Sequence, residues 1–232
     1  MDTRFELINR SSTYHDLLHD IETILSNEDL FYGHGTDNAM DESMAIIMHL
    51  LQSHDPLKED QLKASIQVGF LKKAKEILYQ RIVELKPLPY ITNEAYFCGK
   101  RFYVDERVLI PRSPIAELIN NRFEPWIKAS SLNRILEIGT GSGCIALSIA
   151  SIFSDTEVVA TDVSSDALDV AAMNAKAHDS DNRVKIIESD LFENVNGVFD
   201  LIITNPPYVP TEVMSDLPKE YLHEPDLALA AG

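Results

Sequence analysis

The 232-residue chain holds only two cysteines, Cys98 and Cys144, too few for a disulfide framework or a cysteine-rich zinc cluster. Basic side chains are also scarce: 20 Lys and Arg stand against 37 Asp and Glu, a formal charge of −17. A surface of that sign repels phosphate backbones, so direct nucleic-acid binding is disfavoured and a basic partner is favoured. Long hydrophobic runs are missing, and none approaches the roughly 18 apolar residues of a membrane span. The opening stretch MDTRFELINR carries mixed charge and lacks the apolar stretch of a secretory signal. Together these absences point to a reducing, cytoplasmic setting. What is present is ample apolar material: 45% of residues are hydrophobic, enough to bury a real core.

The first part reads as helical. Leu17, Leu18, Ile21, Ile24 and Leu25 recur at helical spacing behind Thr13 and Asp16, which are placed as a capping box. A second helix is expected over Asp41 to Gln52. A third is expected from Glu59 to Leu85, broken near Gly69 and stopping before Pro87 and Pro89. The stretch AYFCGKRFYVD then gives two short β-like runs around Gly99 and Lys100, a hairpin. Another helix should start near Ser113 with Pro114 in its first turn. From Arg134 onward strand and helix alternate: RILEIG, SGCIALSIASIF, EVVATDV, SDALDVAAMNAKAH, RVKIIESD and FDLIITN. That alternation predicts an α/β architecture, a parallel sheet with ligands bound at the carboxyl ends of its strands.

Three of those strand ends carry chemistry. The first runs into Gly139, Gly141 and Gly143, a turn that lets a ligand approach the backbone and leads into a helix whose first N–H groups are free. A plain strand-to-helix turn would look the same. About twenty residues on, Asp162 ends the second strand, where an acid accepts hydrogen bonds from both hydroxyls of a ribose; capping the following helix is the alternative, though Ser164 also suits that role. Asp190 ends the third strand, where it can accept from an adenine amine while Leu191 presents its backbone beside the ring. The G-x-G-x-G spacing and the lack of a second nucleotide-binding half fit adenosine with a short charged tail better than a dinucleotide.

The set EIGTGSG, ATD, SDLF and TNPPY resembles the class I S-adenosylmethionine-dependent methyltransferases, and more narrowly the HemK/PrmB group of protein-glutamine N(5)-methyltransferases. FYGHGTDNAMDES, FCGKRFYVDERVLIPRSPIAELI and SDLPKEYLHEPDLALAAG are similar to its PrmB-type branch, which methylates a glutamine of the third protein of the large ribosomal subunit. The likeness runs from about Phe31 to the end. It implies S-adenosyl-L-methionine as cofactor, held by Glu137, Gly139, Thr140, Gly141, Ser142, Gly143, Asp162, Asp190, Leu191 and Asn205. His178 and His223 offer no ligand spacing, so no metal is expected. The likeness also implies a helical substrate-recognition domain over 1–88, a hairpin linker over 89–112 and a Rossmann-like methyltransferase domain over 113–232. The family's sheet usually has seven strands and four are legible here, so a C-terminally truncated domain with an uncovered strand edge is expected.

The tetrapeptide Asn205-Pro206-Pro207-Tyr208 has a physical reading of its own. An amide nitrogen is a poor nucleophile because its lone pair is delocalised, so it must be held in line with its N–H bonds directed. The side-chain oxygen of Asn205 and the carbonyl of Pro206 are two suitable acceptors, and consecutive prolines aim that carbonyl rigidly. Tyr208 can lie against the planar amide, where its ring favours developing positive charge. Asn205, Pro206 and Tyr208 are therefore the candidate catalytic residues, with Pro207 completing the substrate-binding turn. A nucleic-acid amino-methyltransferase could use the same turn, and a non-catalytic binding module remains the third reading. Arg112 could meet the cofactor carboxylate, the substrate or an ion-pair partner. His34 fits a structural turn, and Glu224 follows the family pattern without a derivable role.

Overall fold

A computed structural model describes residues 3–180 and 182–231. The chain forms two compact units, one up to Thr92 and one from Asn93 on.

In the first unit, α1 (Tyr14–Ser26) opens with the expected box: Thr13 accepts from the Asp16 N–H while Asp16 accepts from the Thr13 N–H. Helix α2 spans Ala39–Leu51 behind an Asn38 cap. The third helix, expected to break near Gly69, is in two pieces: a single turn α3 (Glu59–Leu62) and α4 (Phe70–Ile82). Gly69 heads α4 at φ 91°, a left-handed conformation that glycine adopts without a Cβ clash. A further short helix, α5 (Leu88–Thr92), follows Pro87; Pro89 falls in its first turn, where its missing N–H has no intrahelical partner to lose. Leu17, Ile21, Leu25, Ile46, Ile47 and Leu78 pack at the centre. Among them runs a buried ion pair, Arg81 Nε to Glu42 Oε1 at 2.5 Å. Arg81 also donates to the Phe31 carbonyl and Glu42 accepts from the Thr36 hydroxyl, so the pair pins the FYGHGT segment.

The second unit begins with a hairpin of β1 (Ala95–Phe97) and β2 (Lys100–Phe102). Its turn is Cys98-Gly99, both left-handed at φ 48° and 71°, one residue earlier than the sequence suggests. Helix α6 (Ile115–Asn120) follows Pro114. Then come β3 (Arg134–Ile138), α7 (Cys144–Ile152), β4 (Glu157–Asp162), α8 (Ser165–Ala177), β5 (Val184–Glu188) and β6 (Leu201–Thr204). Among the described residues these four strands form one parallel sheet in the order β5-β4-β3-β6. The core beneath includes Ile135, Ile145, Ile149, Phe153, Val158 and Ile203. Past β6 the chain makes two 3-10 stretches, Thr211–Asp216 and Lys219–His223, and a turn of helix, α9 (Asp226–Leu229). Among the described residues no helix is long and apolar enough to cross a membrane.

Candidate functional site

The strand order reverses at β3, whose neighbours are β4 on one side and β6 on the other. Such a switch point opens a crevice at the carboxyl ends of the strands, and a pocket of about 300 Å³ occupies it. Glu137 at the end of β3, Asp162 at the end of β4, Asp190 and Leu191 after β5, and Asn205, Pro206 and Pro207 after β6 all line it, with Gly139, Thr140, Gly141 and Ser142. Gly143 sits just behind the wall and Tyr208 stands outside it, 70% exposed.

The glycine loop differs from expectation in one respect. Its N–H groups are mostly taken: Gly139 and Thr140 donate to the Thr161 carbonyl, Gly143 to Thr140, Gly141 to Asp162 Oδ2 at 2.8 Å, and Ala146, in the first turn of α7, to Glu137 Oε2 at 2.9 Å. The loop thus offers shape more than donors. Gly143 has φ 79°, and a Cβ there would stand 3.2 Å from Leu147 and 3.3 Å from Ala171; its absence lets α7 and α8 approach. At Gly139 and Gly141 a Cβ would meet no protein atom within 4 Å, so there the missing side chains leave room beside the pocket for a ligand.

Glu137 is 1% exposed. Its Oε2 also accepts from the Thr140 hydroxyl at 2.6 Å, so both protein donors meet the same carboxylate oxygen. Burial, with the Asp162 charge adding to it, pushes this carboxyl up to about 8 against the pull of its two hydrogen bonds. Burial likewise lifts the Cys144 thiol to about 12, so Cys144 is a packing residue at neutral pH. Asp162 receives the Gly141 N–H on one oxygen and the Ser164 N–H on the other at 3.0 Å. Ser164, not Asp162, caps α8. Each Asp162 oxygen keeps a lone pair for a diol. Leu191 is left-handed at φ 46°, and its carbonyl is fixed by the Ser189 hydroxyl at 3.1 Å.

Asn205 is half-buried, and its Oδ1 faces the Ser113 hydroxyl at 3.4 Å. The exit of the proline turn is anchored by a parallel bridge between Val209 and Ala230. Of the roles open to Arg112 the structure shows the ion pair: it is bound in bidentate fashion by Glu224, for which the sequence suggested no role. Glu224 is completely buried there and also accepts from the Ile110 N–H at 3.3 Å; the Arg112 guanidinium lies 5.2 Å from the Tyr221 ring centre. His34 belongs to the first unit, buried edge-on against Phe31.

Two participants escaped sequence reasoning. Ser113 was legible only as a residue before a proline. Asn174, 1% exposed in mid-α8, accepts from the Tyr103 N–H at 2.8 Å and donates to the Tyr103 and Ser142 carbonyls, each at 2.9 Å. Its one signal is a polar residue on the buried stripe of an amphipathic helix.

These features define a class I methyltransferase domain: a parallel α/β sheet, a glycine loop after its first strand and acids on the next two. The family model for the methyltransferase small domain matches residues 122–230. The ribosomal protein uL3 glutamine methyltransferase of Francisella tularensis subsp. tularensis is 39% identical over 229 residues, 98% of this chain and 73% of that protein. That of Neisseria gonorrhoeae is 42% identical over 226 residues, 95% of this chain and 74% of the relative. A solved structure, the hMettl16 catalytic domain with the MAT2A 3'UTR hairpin 6, overlaps 75% of this chain and 62% of its own with 14% identity and a TM-score of 0.45. The chain belongs to the ribosomal protein uL3 glutamine methyltransferase family, and it is an S-adenosylmethionine-dependent enzyme.

Proposed function

We propose that this chain methylates the side-chain amide nitrogen of a glutamine in ribosomal protein uL3, with S-adenosylmethionine held in the pocket at the strand ends. The observation that carries the reading is the position of Asn205-Pro206 on the rim of the same pocket that Asp162 and the glycine loop line. Asp162 holds the ribose diol, Asp190 and the Leu191 backbone meet the adenine, and Glu137 Oε1 faces the cationic tail. Bound there, the cofactor supplies an electrophilic methyl on a sulfonium. The protein's own task is positioning. Asn205 Oδ1 and the Pro206 carbonyl receive the two amide N–H bonds and turn the nitrogen lone pair toward the methyl. Tyr208, exposed on the rim, is free to lie against an arriving amide plane. The substrate is basic, which suits a chain of charge −17, and residues 1–88 select it.

The test is transfer of a labelled methyl to purified uL3 by the wild-type chain and Asn205→Ala. The variant should lose about 100-fold or more in turnover. Label appearing on an RNA substrate in place of uL3 would overturn the reading.

A further inference from the structure

We propose that Ser113 is a positioning residue for methyl transfer: its hydroxyl fixes which way the Asn205 carboxamide faces, and the Arg112–Glu224 ion pair holds Ser113 in place to do so. This rests on the reading that Asn205 Oδ1 receives the substrate amide.

A carboxamide is nearly symmetric in shape, but one end accepts and the other donates. If Asn205 turned over, its NH₂ would face the substrate N–H, donor against donor, and an acceptor would be lost where one is needed. The structure contains a device that discriminates the two orientations. The Ile115 N–H donates to Ser113 Oγ at 3.3 Å, which occupies a lone pair and directs the hydroxyl proton elsewhere. The hydroxyl donates to Asn205 Oδ1, oxygen to oxygen 3.4 Å. With one of its two lone pairs taken, the hydroxyl is biased toward donating, which favours an oxygen over an NH₂ opposite it. The contact is long for an O–H···O bond, as hydrogen bonds of unliganded sites commonly are before closure. Oδ1 retains a second lone pair for the substrate.

The mount of Ser113 is unusually stiff. Pro114 follows it, which confines a preceding residue to extended conformations. Arg112 precedes it and is locked by two parallel bonds to Glu224, whose side chain is completely buried. A fork-to-carboxylate pair fixes direction as well as distance. Glu224 comes from the chain beyond the proline turn, so the two segments flanking Asn205 are tied to each other. Arg112, Ser113, Asn205 and Pro206 share one pocket wall.

The experiment is steady-state methylation of full-length uL3 by wild type, Ser113→Ala, Ser113→Thr and Asn205→Ala, with cofactor affinity measured by calorimetry. Ser113→Ala should lower kcat about tenfold, leaving cofactor Kd and the KM for uL3 unchanged. Ser113→Thr, which keeps the hydroxyl, should restore kcat; a packing role would not sort the variants by the hydroxyl. Wild-type kcat in Ser113→Ala beside an inactive Asn205→Ala would overturn this inference alone. Equal losses in Ser113→Ala and Ser113→Thr would also overturn it. Wild-type turnover by Asn205→Ala would overturn it together with the function beneath it.

Discussion

Glu137 gives the second unit a pH-dependent stability that can be calculated and removed. Its carboxyl is raised from 4.5 to about 8, by burial first. The unfolded chain, with the group near 4.5, loses this proton well before the folded protein does. The folded state therefore binds more protons between those values, and stability falls as pH rises through that window. The stability is fully present below about 4.5 and is lost by the time pH passes about 8. At about 1.4 kcal/mol per unit, the shift is worth up to ~5 kcal/mol, an upper bound because the pocket admits water. Glu137→Gln keeps an acceptor for Thr140 and Ala146, both of which donate to Oε2, while removing the titration. Urea denaturation of both proteins at pH 5, 6.5 and 8 should give similar midpoints at pH 5. At pH 8 the variant should be the more stable by several kcal/mol. Parallel curves for the two proteins across this range would refute the reasoning.

Two further predictions follow from single side chains. Asp162→Ala should abolish saturable S-adenosylmethionine binding in a calorimetric titration and cost about 1.5–3 kcal/mol of stability, because the Gly141 and Ser164 N–H groups lose their acceptor; unchanged binding would remove Asp162 from the site. Glu42→Ala removes the carboxylate beside Arg81, which is 1% exposed, and should cost about 3–5 kcal/mol in a chemical melt, whereas Glu42→Met with Arg81→Met should recover much of it; a loss under 1 kcal/mol for the single change would contradict the pairing.

The sequence made the strand-helix alternation legible because buried parallel strands read as short apolar runs and their helices carry separate caps. Thr13 and Asp16 announced α1 through local chemistry alone. Errors arose where tertiary packing outweighed local preference. The break expected near Gly69 is wider than one residue, running through residues 63–69, and Pro89 proved compatible with a helix start. In the site, the strand-end acids and the proline turn could be located because each follows a strand directly. Contacts between distant segments had no such signal. Nothing near Arg112 indicates that Glu224, 112 residues away, is its partner, and nothing near Asn174 indicates Tyr103.

That last contact reaches beyond packing. With one amide, Asn174 accepts the Tyr103 N–H and donates to the Tyr103 carbonyl, the same exchange that a residue of an antiparallel strand makes with its opposite number. Its remaining hydrogen grips Ser142 in the glycine loop. A side chain thus serves as a one-residue splice between the segment leaving the hairpin and the glycine loop that lines the pocket. Aspartate lacks the donors for it, and glutamine is a methylene too long. The backbone at Tyr103 and the backbone at Ser142 are therefore held in register by a single amide.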